Sequence, residues 1–169
     1  MKIGVQTWGS EGDIRPFIAI CAELASLGHE VRLVITSILG KDYSGYSSQF
    51  NFKIEHTAVP AITDNIIELI YENTIKRKNV AQMKLIMEHG FESIADEIME
   101  RSLELAKWAD ITLTHTLIST LPVAARKFGK KHFMMTPVPS TVISAYQPVF
   151  GDRYFGKFIT KLSWELTDI

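Results

Sequence analysis

An open parallel α/β sheet with helices on both faces is the fold this sequence predicts, and three observations predict it. Short apolar runs rich in β-branched residues alternate along the chain with segments whose apolar residues recur at helical spacing. The first such unit, Lys2 to Thr36, reads strand, glycine-bearing turn, helix, turn, strand. Its second apolar run, Val31, Leu33, Val34 and Ile35, is nearly continuous, as suits a strand covered on both faces.

The elements follow in order. Ile3 and Val5 form the first strand. Gly9 and Gly12 bracket a tight turn, since glycine adopts positive φ without a Cβ penalty. Asp13 is expected as the N-cap of a helix whose buried stripe is Ile14, Phe17, Ile18, Cys21, Leu24 and Ala25. With Asp13 as cap, Pro16 falls in the first turn, where a missing N–H costs nothing. Gly28 suits the helix stop. Ile38 to Asn51, rich in Ser, Tyr and Gly, reads as a connection, and Phe52 to Val59 as a third strand ended by Pro60. Thr63 can cap a helix carrying Ile66, Ile67 and Ile70. A longer helix places Met83, Ile86, Met87, Gly90, Phe91, Ile94, Ile98, Ser102 and Leu105 on one face. Ile111 to Thr114 reads as a strand, Leu117 to Phe128 as a helix and His132 to Thr136 as a strand. From Pro137 to Arg153 the chain is prolines, serines and aromatics, and a last helix starts near Tyr154.

Composition sets bounds. At 169 residues the chain fits one domain by the prior of roughly 100–200 residues per domain. Its 46% apolar content is ordinary for a globular protein, and a net charge of −1 provides no global field to attract nucleic acid. No apolar run approaches the ~20 residues of a membrane span, and the N-terminus has no signal-peptide pattern. The single cysteine, Cys21, cannot pair within the chain, so a cytoplasmic setting is expected.

The glycine turn admits three ligand readings. A dinucleotide turn needs G-x-G-x-x-G and an acidic residue ending the second strand; here the glycines are G-x-x-G and the strand ends in Thr36 and Ser37. A P-loop needs a Gly-Lys-Ser/Thr ending, which is absent. What remains is a turn allowing close backbone approach, followed by a carboxylate and a proline. Ligands of open α/β sheets bind beyond the carboxyl ends of the strands, where this turn lies. Asp13 is therefore either a helix cap or a catalytic base. His115, which closes the strand beginning at Ile111, is a second candidate on the same side, against an ordinary structural histidine. His56, His89 and His132 show no metal-ligand spacing, and His29 reads as a turn residue at the opposite end of the sheet.

The pattern T-x-G-S-x-G-D-x-x-P (Thr7, Gly9, Ser10, Gly12, Asp13, Pro16), followed by L-G-H-x-V-x-L-x-x-T (Leu27, Gly28, His29, Val31, Leu33, Thr36), resembles the N-terminal domain of GT-B glycosyltransferases. The likeness is to the sterol and glycopeptide glucosyltransferases and the related glycosyltransferase family 28 N-terminal domain. It is dense over the first 36 residues and looser afterwards. The resemblance implies a Rossmann-like acceptor-binding domain spanning residues 1–169, with the nucleotide-sugar held mainly by a C-terminal domain whose motif this chain lacks. It implies inverting transfer of a hexose from a UDP-sugar or other nucleotide-sugar to an acceptor hydroxyl (sterol, lipid or glycosylated natural product), with no further cofactor. The chain alone is expected to be inactive. Asp13 matches the proposed base of the glycopeptide-type members, and His115 lies near the place of an aspartate that assists a histidine base in plant-type members.

Acceptor contacts are expected from Trp8, Gly9, Ser10 and Gly12 in the first turn and from Thr136, Pro137 and Val138 after a strand end. Met83, Met87 and Phe91 either line an apolar cleft or pack in the core. Arg153, Lys157 and Lys161 give the last helix a basic face, suited to peripheral membrane contact or to docking against a donor-binding domain or subunit. Two other readings stay open: a stand-alone small-molecule binding module or inactive split subunit, and a dinucleotide oxidoreductase.

Overall fold

The computed structural model describes residues 1–76 and 79–137. Met1–Met135 forms one compact unit, and Thr136 opens a second. The first unit is built on five parallel strands: β1 (Lys2–Gly9), β2 (Glu30–Ser37), β3 (Lys53–His56), β4 (Ile111–His115) and β5 (Lys131–Met135). Their spatial order is β3-β2-β1-β4-β5. β1 pairs with β2 from Lys2↔Glu30 to Gly9↔Ser37, and on its other side with β4 from Ile3↔Ile111 to Gln6↔Thr114. The chain thus winds outward in one direction through β2 and β3, returns, and winds the other way through β4 and β5. The reversal lies between β1 and β4.

Helices cover both faces, as the apolar strands require. On one face α1 (Glu11–Ser26) lays Ile14, Phe17, Ile18 and Cys21 against Ile3, Val5, Val31, Leu33 and Ile35. Burial pushes the Cys21 thiol pKa far up, so it behaves as a small apolar side chain. On the other face α5 (Ala95–Trp108) and α6 (Thr120–Lys127) bring Ile98, Leu105, Leu121 and Ala124 onto Trp8 and Val34. A buried polar cluster crosses this second interface. The Ser102 hydroxyl lies 2.7 Å from Gln6 Oε1, 2.8 Å from Thr120 Oγ1 and 2.8 Å from the Ile98 carbonyl, which ties β1, α5 and α6 together.

Three local readings of the sequence are corrected. Ser10, not Asp13, is the N-cap of α1; Asp13 sits at N3, and Pro16 is therefore inside the helix, where it has no N–H to give the Gly12 carbonyl one turn back. The connection after β2 contains a short helix, α2 (Gly45–Phe50). The separate helix expected after Thr63 is α3 (Asp64–Ile75), but the longer helix expected from Met83 to Leu105 is broken: α4 (Asn79–Leu85) precedes a π-helical turn at Ile86–Phe91 and a 3₁₀ turn at Glu92–Ile94, and only then does α5 begin. Gly90 explains the break. Its carbonyl accepts a hydrogen bond from Trp8 Nε1 at 3.3 Å, and a Cβ there would stand 3.0 Å from Trp8 Cζ2. The widened turn lets the backbone meet an indole. The last helix, expected from Tyr154 onward, lies outside the described residues.

Candidate active site

The site is assembled where β1 and β4 end side by side, at the reversal of strand order, which is where open α/β sheets place their ligands. β1 delivers the turn Gly9-Ser10 and the first turn of α1. β4 delivers His115.

Asp13 is held from two sides. In a capping box its Oδ2 accepts the Ser10 N–H at 2.9 Å and the Ser10 hydroxyl at 3.0 Å. Gly9 makes room for this: its φ is +133°, and a Cβ would fall 2.4 Å from Asp13 Oδ2. The other oxygen, Oδ1, faces His115 Nε2 at 3.7 Å. That separation is a close electrostatic contact, longer than a hydrogen bond. The Asp13 side chain remains 31% exposed whereas that of His115 is 4% exposed, so one group reaches solvent and the other stands behind it.

The histidine is oriented by its neighbours. Its ring packs against Phe17 with centroids 5.8 Å apart, and its Nδ1 accepts the Leu117 N–H at 3.1 Å. An accepting Nδ1 carries no proton, which assigns the proton of the neutral ring to Nε2, aimed at Asp13. Nε2 is buried and has no hydrogen-bond partner among the described residues; the Thr116 hydroxyl beside it in sequence is likewise buried and unpartnered. Burial opposes the charge on Asp13, but the His115 N–H, the Ser10 N–H and the Ser10 hydroxyl together outweigh it and hold the carboxyl below the usual carboxylate range. The site therefore presents a partly exposed, ionised carboxylate with Oδ2 committed to Ser10 and Oδ1 facing His115. Glu11 flanks it, ion-paired with Arg15 at 2.8 Å and with Lys41 from the loop after β2.

The residues singled out from sequence divide clearly. Asp13 and His115 are brought together although 102 positions separate them (115 − 13). Ser10 and Gly9 belong to the site as the cap and as the space the carboxylate needs. Gly12 is exposed and helical; it has no positive φ, and a Cβ there would meet only Ser10 Oγ at 3.8 Å. Trp8 does not belong: it is 5% exposed, points into the core and packs edge-on against Phe91. Of the Met-rich face, Phe91 is buried, Met83 half-buried and Met87 exposed. Thr136 and Pro137 are half-buried residues directly after β5, and Val138 lies outside the described residues. Sequence reading missed Thr116, whose adjacency to His115 was the available signal, and it missed the Leu117 N–H, which no side-chain pattern announces. No group of three or more His, Cys, Asp or Glu among the described residues could hold a metal ion.

Comparison with known proteins defines the class of fold. The glycosyltransferase of kitacinnamycin superposes with a TM-score of 0.56 at 15% identity, covering 81% of this chain and 30% of that one. Arabidopsis thaliana UGT89C1, solved with UDP-L-rhamnose, gives 0.50 at 14% identity, covering 86% of this chain and 37% of that one. The C-terminal domain of the PF1911 hydrogenase from Pyrococcus furiosus gives 0.51 at 13% identity, covering 81% of this chain and 90% of that one. No family model matches the sequence, and no curated protein matches it. The chain has a Rossmann-like α/β fold shared with one domain of GT-B glycosyltransferases, and it spans about a third of the length of the glycosyltransferases it matches. Because the same sheet also serves a hydrogenase domain, the fold alone assigns no activity.

Proposed function

We propose that this chain is the acceptor-binding half of an inverting glycosyltransferase, with Asp13 as the general base. The observation that carries the reading is the partly exposed carboxylate of Asp13 at the β1–β4 reversal, with Oδ1 facing the Nε2–H of His115 and Oδ2 anchored to Ser10. An acceptor hydroxyl attacks the anomeric carbon of a nucleotide-sugar, its proton passes to Asp13 Oδ1, and the nucleoside diphosphate leaves with the glycosidic electron pair. A carboxylate held below its usual pKa is a weak base, but it is always ionised at neutral pH. The attacked hydroxyl becomes strongly acidic as its oxygen bonds to an oxocarbenium-like carbon, so a weak base suffices late in the step. The donor, a UDP-sugar or related nucleotide-sugar, is bound mainly by a second domain or subunit, and the acceptor is a small hydroxylated molecule of sterol, lipid or natural-product type.

The test is Asp13→Asn in the complete enzyme. Transfer should fall by about 10²–10⁴-fold, the usual worth of general-base help, while donor affinity in a direct titration stays unchanged. Full activity in the variant would eliminate Asp13 as base. The 90% coverage of a hydrogenase domain keeps a second reading in view, a binding module without transfer. That reading requires acceptor binding by the chain alone and no turnover with any donor domain supplied.

A further inference from the structure

The two ends of the sheet carry opposite charge. At the end where the strands finish, α1 begins with Glu11 and Asp13 and α5 with Asp96 and Glu97. α5 and α6 pack side by side and run back to the end where the strands begin. There α5 finishes in Lys107 and α6 in Arg126 and Lys127, and Lys130 and Lys131 lead into β5. Lys107, Arg126, Lys127 and Lys131 are exposed and Lys130 is half-buried. None of the five forms an ion pair among the described residues. The acidic residues that border them in sequence are engaged elsewhere: Glu104 pairs with Arg101 at 3.3 Å, and Asp110 accepts the Lys2 N–H at 2.7 Å. Cations in a last helical turn offset the helix dipole, but α5 and α6 together bring only about one negative charge to this end. Lys130 and Lys131 lie outside both helices. Leu27, 64% exposed at the C-cap of α1, adds an apolar group at the same end.

We propose that this basic end of the sheet docks on an anionic lipid surface, with Lys107, Arg126, Lys127, Lys130 and Lys131 against the lipid headgroups. The chain as a whole has a net charge of −1, so the attraction is directional: the basic end leads and the acidic end turns away. A bilayer presents laterally mobile charges and needs no matching shape, so each unpaired cation near it adds attraction. It also accepts a protruding side chain such as Leu27, for which a polynucleotide backbone has no use. No described helix is long and apolar enough to cross a membrane, so the contact is peripheral. Asp13 and His115 lie at the opposite end of the strands, and the docked protein holds them facing away from the lipid. The inference is independent of sugar transfer at Asp13.

Vesicle flotation of the whole chain tests it, with phosphatidylcholine vesicles compared against vesicles containing phosphatidylserine. Binding is expected only to the anionic vesicles and should weaken as salt rises. Arg126→Gln with Lys127→Gln should reduce it more than about tenfold, at about fivefold for each charge removed near the surface. Lys130→Gln with Lys131→Gln should do the same. Lys76→Gln with Lys84→Gln removes as much charge from cations already paired with Glu72 and Glu88, away from this end, and should leave binding unchanged. None of these side chains is buried, so all three double variants should keep the parent's thermal midpoint, which separates lost binding from lost fold. Absence of binding to anionic vesicles, an equal loss in the Lys76/Lys84 pair, or tighter retention by a DNA duplex than by the vesicles at the same salt would each overturn the proposal.

Discussion

His115 Nε2 stands 3.7 Å from Asp13 Oδ1, and each of the two side chains is fixed by a backbone N–H of its own neighbourhood, Leu117 for the histidine and Ser10 for the aspartate. Neither group depends on the other for its orientation. The gap between them is therefore a property of the scaffold, and substitutions at either end should be separable in their effects.

If Asp13 is the base of the proposed transferase, His115→Ala should lower kcat of the complete enzyme by about tenfold or more with little change in donor KM, since it removes the N–H behind the carboxylate. His115→Gln, which can present an N–H from a side chain of similar reach, should recover part of that loss. Steady-state kinetics of the two variants decide the matter; equal loss in both would reduce His115 to core packing against Phe17.

Gly9→Ala should damage structure and site together. The new methyl would stand 2.4 Å from Asp13 Oδ2 on a backbone with φ of +133°, so either the turn or the carboxylate must move. A cost of about 1–3 kcal/mol is expected from strain of this kind, read as a lowered urea midpoint. Gly12→Ala at the next glycine should raise stability by up to about 0.5–1 kcal/mol, because Gly12 is helical and its Cβ would make only an ordinary contact with Ser10 Oγ at 3.8 Å. A loss of acceptor affinity in Gly12→Ala would then report a ligand approaching the helix start.

The pH dependence follows from Asp13. Its carboxyl pKa is lower in the folded chain than in the unfolded one, so its contribution to stability is complete above the unfolded value, near 3.9, and is lost as pH falls through the folded value. Urea midpoints measured from neutral pH into the acid range should decline less steeply in Asp13→Asn than in the parent chain. Parallel declines would mean that the capping box leaves the Asp13 carboxyl unshifted.

Ser102→Ala should cost about 1–3 kcal/mol in chemical unfolding, because it leaves Gln6 Oε1 without its short hydrogen bond in a site with no exposure to water. Combining it with Gln6→Leu should return part of that loss, since both polar partners are then gone. A double variant less stable than the sum of the singles would contradict a shared network.

Much of this architecture was legible because single-period patterns sufficed. The α1 stripe from Ile14 to Cys21 and the apolar run of β2 each dictate an element and a face, and the turn from β1 into α1 brings a carboxylate to the carboxyl end of the sheet. What the sequence left unseen was mostly the work of partners distant in sequence. Trp8 lies in a strand buried on both faces, so alternation could not say that its indole turns inward to a carbonyl 82 residues away. Ser102 lies on the buried stripe as its spacing requires, but its acceptor Gln6 stands 96 residues earlier. Gly90 keeps helical spacing while widening the helix, because period counting registers side chains and not the backbone carbonyl that Trp8 claims. Asp13 was rightly a capping residue but at the wrong position, since Ser10 and a residue three later satisfy the same box from opposite ends.

The adjacency of β1 and β4 has a kinetic meaning. These central strands pair across more than a hundred residues, from Ile3↔Ile111 to Gln6↔Thr114, and closing so long a loop is a slow, entropically costly event in folding. His115 ends β4, and Asp13 sits in the first helical turn after β1. A chain that has formed only its first β-α-β unit owns a capped helix and a carboxylate, but nothing behind it. Recovery of the Asp13–His115 contact is therefore a late marker on the refolding path, and the site becomes competent only once the middle of the sheet has closed.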